Sequence, residues 1–364
     1  MFMSVYVETP ASRLADWLEF QAIIHEYREV SLDLLWEAMG LAEDTPVDAF
    51  GEEDPYDTEV GMSEDTQRER VRARVERELE RRMEALGPTA YPFVLADDVL
   101  CCTLDRDGAT PTEGQLAYLL CLRLSIPLSE VLDLDRLPAI NTGVERNLFQ
   151  HCANLAAAGY LGGRTYAFGW PRPDRTDLLG ALTVLEDAMQ SEGVVRSAIP
   201  RTAPRNPKDD QLDVVAWIPH NDGPGCALTL WGQVATGKDW TIKAFNSDHV
   251  ELFMRHWYAK PPMLKPVRAM FVPFSLFDDI HDRDPGEYVE TLQLNTISYG
   301  IIFHRYRLPA CVQRAFNRPE DVSVMRALPS AEVARLLRQW WSGFEAALRR
   351  AAMGSERDHA ADAA

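Results

Sequence analysis

The sequence predicts an α/β protein with a mixed central sheet flanked by helices, preceded by a mostly helical N-terminal lobe. Three observations predict it. Apolar residues recur at helical spacing up to about residue 140. Short, largely apolar runs bounded by turn residues then alternate with helical segments. With 364 residues, 46% of them hydrophobic, the chain is long enough to bury a sizeable core.

The expected N-terminal lobe spans residues 1–140. Residues 12–40 carry Leu14, Trp17, Leu18, Ile24, Leu34, Leu35 and Met39 at helical spacing, with Gly40 as a stop. Residues 41–65 hold ten carboxylates and no basic residue, the pattern of a solvated acidic loop. Residues 63–86 form a charged helix whose narrow apolar stripe is Val71, Val75, Leu79 and Met83. Thr112 and Gln115 make a capping box for a further helix, which Pro127 should end. Pro138 and the Asn141–Gly143 turn mark the boundary.

The second domain is expected over 141–353. It begins with a helix from Gly143 to Ala158 and a short strand at Tyr166–Gly169, followed by a helix at Asp177–Gln190. Two apolar strands follow, Leu212–Ile218 and Cys226–Ala235, joined by a turn at Asn221–Gly225. Asp248–Trp257 is helical, Met270–Phe274 and Ser298–Phe303 are strands, and Ser330–Ala352 is an amphipathic helix. His304-Arg305-Tyr306-Arg307 is expected at an exposed strand end. The small, polar tail 354–364 is expected to be disordered.

Composition narrows the function. A net charge of −19 is opposite to that of a generic nucleic-acid coat, so contact with DNA would need a local basic groove or a partner subunit. No run of about 18 apolar residues is present, which predicts no membrane span. Met1–Pro10 carries Glu8 and no basic flank, unlike a signal peptide. The six cysteines form no CxxC pair, which argues against structural zinc and for buried thiols in a reducing cytoplasm. Of the 37 basic residues only five are lysine: Lys208, Lys238, Lys243, Lys260 and Lys265. All fall in one segment, and lysine's compact ammonium serves tasks that guanidinium does not.

That segment contains Lys208-Asp209-Asp210-Gln211-Leu212-Asp213-Val214-Val215-Ala216-Trp217 and, twenty residues after Asp213, Gln233 in Gly232-Gln233-Val234-Ala235-Thr236-Gly237-Lys238. The pair resembles the core of the PD-(D/E)xK, restriction-endonuclease-like superfamily, in its Mrr-like branch, over Glu145–Lys243. The resemblance implies a helix acid, a strand-borne Asp, and D/E-x-K on the next strand. Asp213 falls on the metal-binding Asp. Gln233 falls on the D/E position, where Gln is a known variation and supplies a carbonyl without charge. Glu145 is the expected helix group, with Gln150, after Phe149, as the second candidate. The family lysine would stand at 235, where this chain has alanine. Lys238 is the expected substitute, with Lys243 and Lys208 as others.

What the resemblance implies is hydrolysis of DNA phosphodiester bonds dependent on Mg2+ or Mn2+. Glu145, Asp213 and Gln233 would hold the metal, and Lys238 would orient water or stabilise charge on phosphate. It also implies a role in bacterial phage defence, with DNA, protein partners in a defence complex or a second copy of the chain as partners. The alternative is a degenerate nuclease fold that binds or assembles without cutting. A purely structural role would instead pair Asp213 with an arginine and use Gln233 to satisfy a buried backbone group. A different class remains: Gly232 to Lys238 fits G-x-x-x-x-G-K, the nucleotide-binding P-loop, but Asp239 replaces the hydroxyl residue that would meet Mg2+.

Overall fold

The structure, a computed structural model, describes residues 5–39, 64–104, 108, 110–132, 142–172, 175–204, 207–220, 222–223, 225–237, 239–243, 245–276, 285–319 and 323–362. Most of the acidic stretch, the boundary residues Pro138 and Asn141, and Lys238 lie outside the described residues.

Helix α1 (Ala11–Ile24) and helix α2 (Leu34–Met39) are separated by strand β1 (Glu29–Ser31), so the single helical stretch expected over 12–40 is broken. Helix α3 (Glu64–Leu86) follows, and Val71, Val75 and Leu79 are fully buried on its apolar stripe. Strands β2 (Phe93–Ala96) and β3 (Val99–Cys102) then form a hairpin that β1 extends into a three-stranded antiparallel sheet. Its turn is Asp97-Asp98, both at positive φ (49° and 64°), the backbone that a two-residue hairpin needs.

Helix α4 (Glu113–Ser129) starts at the expected capping box: Gln115 N–H donates to Thr112 Oγ1 at 3.1 Å, and Thr112 N–H donates to Gln115 Oε1 at 3.0 Å. Pro127 does not end it but sits in its last turn, and Glu130 caps it in the left-handed conformation.

Helix α5 (Thr142–Leu161) leads into strand β4 (Arg164–Ala167) and helix α6 (Leu178–Met189), capped by Asp177 and Gln190. Short strand β5 (Val194–Val195) pairs later with β8 (Tyr258–Lys260). Strands β6 (Val214–Pro219) and β7 (Cys226–Val234) are antiparallel neighbours. After a 3-10 turn at Trp240–Lys243 come helix α7 (Ser247–Trp257), strand β9 (Val267–Phe271), helix α8 (Pro285–Tyr299), strand β10 (Ile301–Phe303), helix α9 (Leu308–Asn317) and strand β11 (Ser323–Met325). Helix α10 (Ser330–Asp362) continues through residues whose composition predicts an unstructured tail.

The main sheet has six strands in the order β10-β9-β7-β6-β4-β11. Only β6 runs against the rest: it is antiparallel to both β4 and β7, and the remaining pairs are parallel. This is a mixed sheet flanked by helices. Val214, Ala216 and Leu230 turn toward α5 and a core that also takes in α1, α3, α4, α9 and α10. Val215, Trp217 and Trp231 turn the other way, onto α6 and α7. The alternation is the period-2 geometry of a strand covered on both faces. Gly232 is required where β7 crosses Phe271, because a Cβ there would lie 2.5 Å from Phe271 Cε2. One apolar core runs from α1 to α10, so residues on both sides of the expected boundary at 140 pack together. Among the described residues no helix is long and apolar enough to cross a membrane.

Candidate functional site

Asp213 sits immediately before β6 and is bound into the edge of the strand pair. Its N–H donates to the Gly232 carbonyl at 3.0 Å, and its Oδ2 accepts from Val234 N–H at 2.8 Å. The side chain therefore stands in for a ladder acceptor and grips the main chain on both sides of Gln233. Its own carbonyl accepts from Phe168 and Gly169 N–H at 2.8 and 2.9 Å, which ties the residue to the end of β4.

The loop before it is held equally firmly. Asp209 Oδ1 accepts from Gln211 N–H at 3.2 Å and Oδ2 from Trp170 N–H at 3.0 Å. Asp210 and Gln211 are at positive φ, and Trp257 Nε1 donates to Asp210 Oδ2 at 2.7 Å. Both acids are turn residues, the role their Asx-turn chemistry favours. Arg172 donates to the Lys208 carbonyl at 2.8 Å and lies over the Phe168 ring.

Gln150, on α5, meets Asp213 across Gly169. A Cβ on Gly169 would lie 2.0 Å from Gln150 Nε2 and 2.6 Å from Asp213 Oδ1. Only a glycine lets the chain pass between these two side chains. Gln233 lies on β7 between Gly232 and Val234, whose main-chain groups bind Asp213; it is buried, and its Oε1 has no hydrogen-bond partner among the described residues. Among the described residues Asp213 makes no ion pair with an arginine, and Gln233 Oε1 satisfies no backbone group.

Burial pushes the Asp213 carboxyl up to about 7, and the nearby Asp209 charge adds to the rise. Val234 N–H and the charge of Lys243 pull the other way. Lys243, exposed in the 3-10 turn, is thus the lysine whose field reaches Asp213. Lys208 is exposed, and Lys238 lies outside the described residues. Ala235, at the expected lysine position, is packed among Met270, Val272, Phe274 and Ile302.

Glu145 is placed elsewhere. Its Oε1 is 3.2 Å from Arg123 Nε of α4 and accepts from Trp340 Nε1 of α10 at 3.1 Å. It is fully buried on a face of α5 covered by these two helices. The second candidate, Gln150, is the α5 residue at Asp213. The P-loop pattern gains no support from the backbone. Gly232 and Gln233 lie inside β7, and the described residues after Lys238 make one 3-10 turn, not the opening of a long helix whose N–H groups could cradle phosphates.

Arg305 is not at an exposed strand end. It is buried, and its two terminal nitrogens hold Asp16 at 2.7 and 3.0 Å. Asp16 also pairs with Arg82 at 2.8 Å, and Arg82 reaches Glu19 at 2.7 Å and Glu78 at 2.8 Å. Tyr91 and Tyr118 donate to Glu19, and Tyr306 to Glu78. The signal for this cluster was in the sequence: Asp16 and Glu19 fall within the apolar pattern of α1, and Glu78 and Arg82 are an i,i+4 pair beside Leu79.

Among the described residues no group of three or more His, Cys, Asp or Glu is placed to hold a metal. The oxygens at the site come from one carboxylate and two amides. Comparison with protein-family models, with curated proteins and with solved structures finds no match for this chain.

Proposed function

We infer that the chain is a PD-(D/E)xK-like nuclease that hydrolyses DNA phosphodiester bonds with Mg2+ or Mn2+. The observation that carries the reading is that Gln150 faces Asp213 across Gly169 while the main chain on both sides of Gln233 is bound to Asp213, so a helix and two adjacent strands converge in the chain order the resemblance implies.

The donor set fits a hard divalent cation. Asp213 supplies the carboxylate, and Gln233 Oε1 is a buried carbonyl without a partner among the described residues. Rotating the Gln150 amide would bring its oxygen to where its nitrogen now lies. Oxygen ligands with one or two carboxylates and retained waters suit Mg2+. A cation would also relieve the burial that holds the Asp213 carboxyl near 7. When bound, the metal supplies Lewis acidity toward a phosphoryl oxygen and lowers the pKa of a water.

The chain's own residues do the rest. Val234 N–H fixes Asp213 Oδ2 and leaves Oδ1 as the free oxygen. Gln150 and Gln233 frame it. Lys238, or Lys243, whose charge reaches Asp213, would stabilise charge on phosphate. DNA as substrate, a cytoplasmic location and phage defence follow from the resemblance and composition. Protein or homo-oligomeric partners would supply the positive surface that a net charge of −19 withholds.

A second reading, a binding or assembly module that has lost catalysis, is favoured by a specific observation: Ala235 lies in an apolar cluster where the family has lysine. Plasmid cleavage with Mg2+ or Mn2+ separates the two. Wild type should cut, and Asp213→Ala should fall at least a hundredfold. Equal cleavage by both proteins would remove Asp213 from the site, and no cleavage by either would favour the module. Lys243→Ala against Lys238→Ala then identifies the working lysine.

A further inference from the structure

We propose that a cavity of about 210 Å3 between α1, α4 and the segment after β9 binds a phosphomonoester, as carried by a free nucleotide, through Arg13 and Ser129, with Trp240 as the wall for its ring. The proposal is independent of the nuclease reading and uses none of the residues around Asp213.

Three polar atoms of the cavity's lining residues lack hydrogen-bond partners among the described residues: Arg13 Nε, Ser129 Oγ and Arg305 Nε. Ser129 is 9% exposed, lines the cavity, and its Oγ has no hydrogen-bond partner among the described residues. Arg13 lines it too; its Nε is buried without a partner, and no carboxylate among the described residues pairs with its guanidinium. Arg305 leaves its Nε unpartnered in the same wall while its terminal nitrogens hold Asp16. Asp16 is the one acid of the lining. Its oxygens are taken by Arg305 and Arg82, so its charge is already matched. Among the described residues the uncompensated charge at the cavity is the positive one of Arg13.

Burying donors without acceptors is unfavourable, and several convergent donors suit a tetrahedral oxyanion. Arg13 lies in the first turn of α1, whose N-cap, Pro10, offers no side-chain oxygen, so the helix dipole adds to the preference for an anion. Trp240 is half-buried, with Phe274 and Tyr299 rings behind it at 6.2 and 4.8 Å. Such a supported indole face stacks planar bases regardless of their identity. The volume is below the roughly 300–1,000 Å3 of a site for a drug-sized ligand, so it takes a head group with the ring at the mouth.

Titration calorimetry on the full chain, with AMP, adenosine and inorganic phosphate as probes, tests this. AMP should bind, inorganic phosphate should compete, and adenosine should be at least tenfold weaker than AMP. Arg13→Gln should weaken AMP at least tenfold without changing the melting temperature of the unliganded protein, since Arg13 has no carboxylate partner among the described residues. Ser129→Ala should weaken it a fewfold. Trp240→Leu should reduce AMP to the affinity of inorganic phosphate. A 5′-phosphorylated hexanucleotide that binds more tightly than AMP, with its 5′-hydroxyl form silent, would uphold the phosphate site and assign it to a strand end. Absence of binding by AMP and phosphate at millimolar concentration would overturn the proposal. So would AMP binding that both Arg13→Gln and Ser129→Ala leave unchanged.

Discussion

The cluster around Arg82 and the group around Asp213 both take acids out of water, and they settle them in opposite ways. Asp16, Glu19 and Glu78 face Arg82, Arg305 and Arg81, and three tyrosine hydroxyls fill the remaining acceptor positions. Charges of both signs are matched, and the one donor of Arg305 left over, its Nε, turns to the neighbouring cavity. Asp213 has a main-chain N–H on one oxygen, a lysine field at a distance, and two amides beside it, one with a buried carbonyl that bonds nothing. A folded chain that leaves an acceptor and an acid together in this way sacrifices stability there. The first set reads as architecture, and the lack of saturation in the second is what the proposed site rests on.

The largest effect expected from breaking this comparison is at its saturated end. Arg82→Met would leave Glu19 buried without its guanidinium and weaken the holds on Asp16 and Glu78. Denaturant unfolding should show a loss of about 3–5 kcal/mol, the range for removing one partner of a buried ion pair. A loss below 1 kcal/mol would mean that the cluster is wetter or looser than its distances imply.

At the unsaturated end the sign reverses. The Asp213 carboxyl titrates near 7 in the fold against a usual value near 3.8, so the folded protein holds its proton more tightly. Its contribution to stability is fully present below about pH 4 and is lost as pH rises through 7. The whole difference would be worth roughly 4 kcal/mol, and the side chain's partial solvent contact reduces that. Asp213→Asn keeps an acceptor for Val234 N–H and removes the charge. It should stabilise the protein by about 1–3 kcal/mol at pH 8 and by little at pH 4, with the gap opening between. Mn2+ should raise the melting temperature of wild type at pH 8 and leave Asp213→Asn unmoved. A variant less stable than wild type at pH 8 would show that the charge has a partner.

How far these two regions could be read from the chain itself differs in the same way. The Thr112 capping box, the Asp177 and Gln190 ends of α6, and the β6–β7 pair with Asp213 at its head rest on local signals, and each stands where the spacing predicts. Whether Glu145 or Gln150 meets Asp213 does not. The two are five residues apart on one helix, about 140° around its axis. Which face turns to the strands is decided by Arg123 and Trp340, which cover Glu145 from helices distant in sequence. The β1–β3 sheet was within reach, since Asp97-Asp98 between two apolar runs is a hairpin signal. No helix is predicted over α8 or α9. The pairing of Asp16 with Arg305 joins residues 289 positions apart, which no local pattern discloses.

Gly169→Ala sharpens the comparison by acting on geometry alone. Its Cβ would land on the Gln150 amide and against Asp213 Oδ1, so both must move. Overpacking of this kind costs about 1–3 kcal/mol, and the Gln150 end can yield, which favours the lower figure. The informative readout is the Mn2+-induced rise in melting temperature, which should shrink even if stability is nearly kept. An undiminished rise would separate Gln150 from the cation.

The smallest expected effect is also the most discriminating. Gln233→Met preserves length and removes a carbonyl that bonds nothing. Were Gln233 structural, its loss would cost the usual 1–2 kcal/mol of a buried amide. Because its Oε1 is unsatisfied, the change should be neutral or stabilising by up to about 1 kcal/mol in denaturant unfolding, while Mn2+ binding weakens. Those two results together would show a side chain kept for a ligand at some expense to the fold. A clear loss of stability with cation binding intact would instead return Gln233 to the architecture, leaving Asp213 and Lys243 to support the site alone.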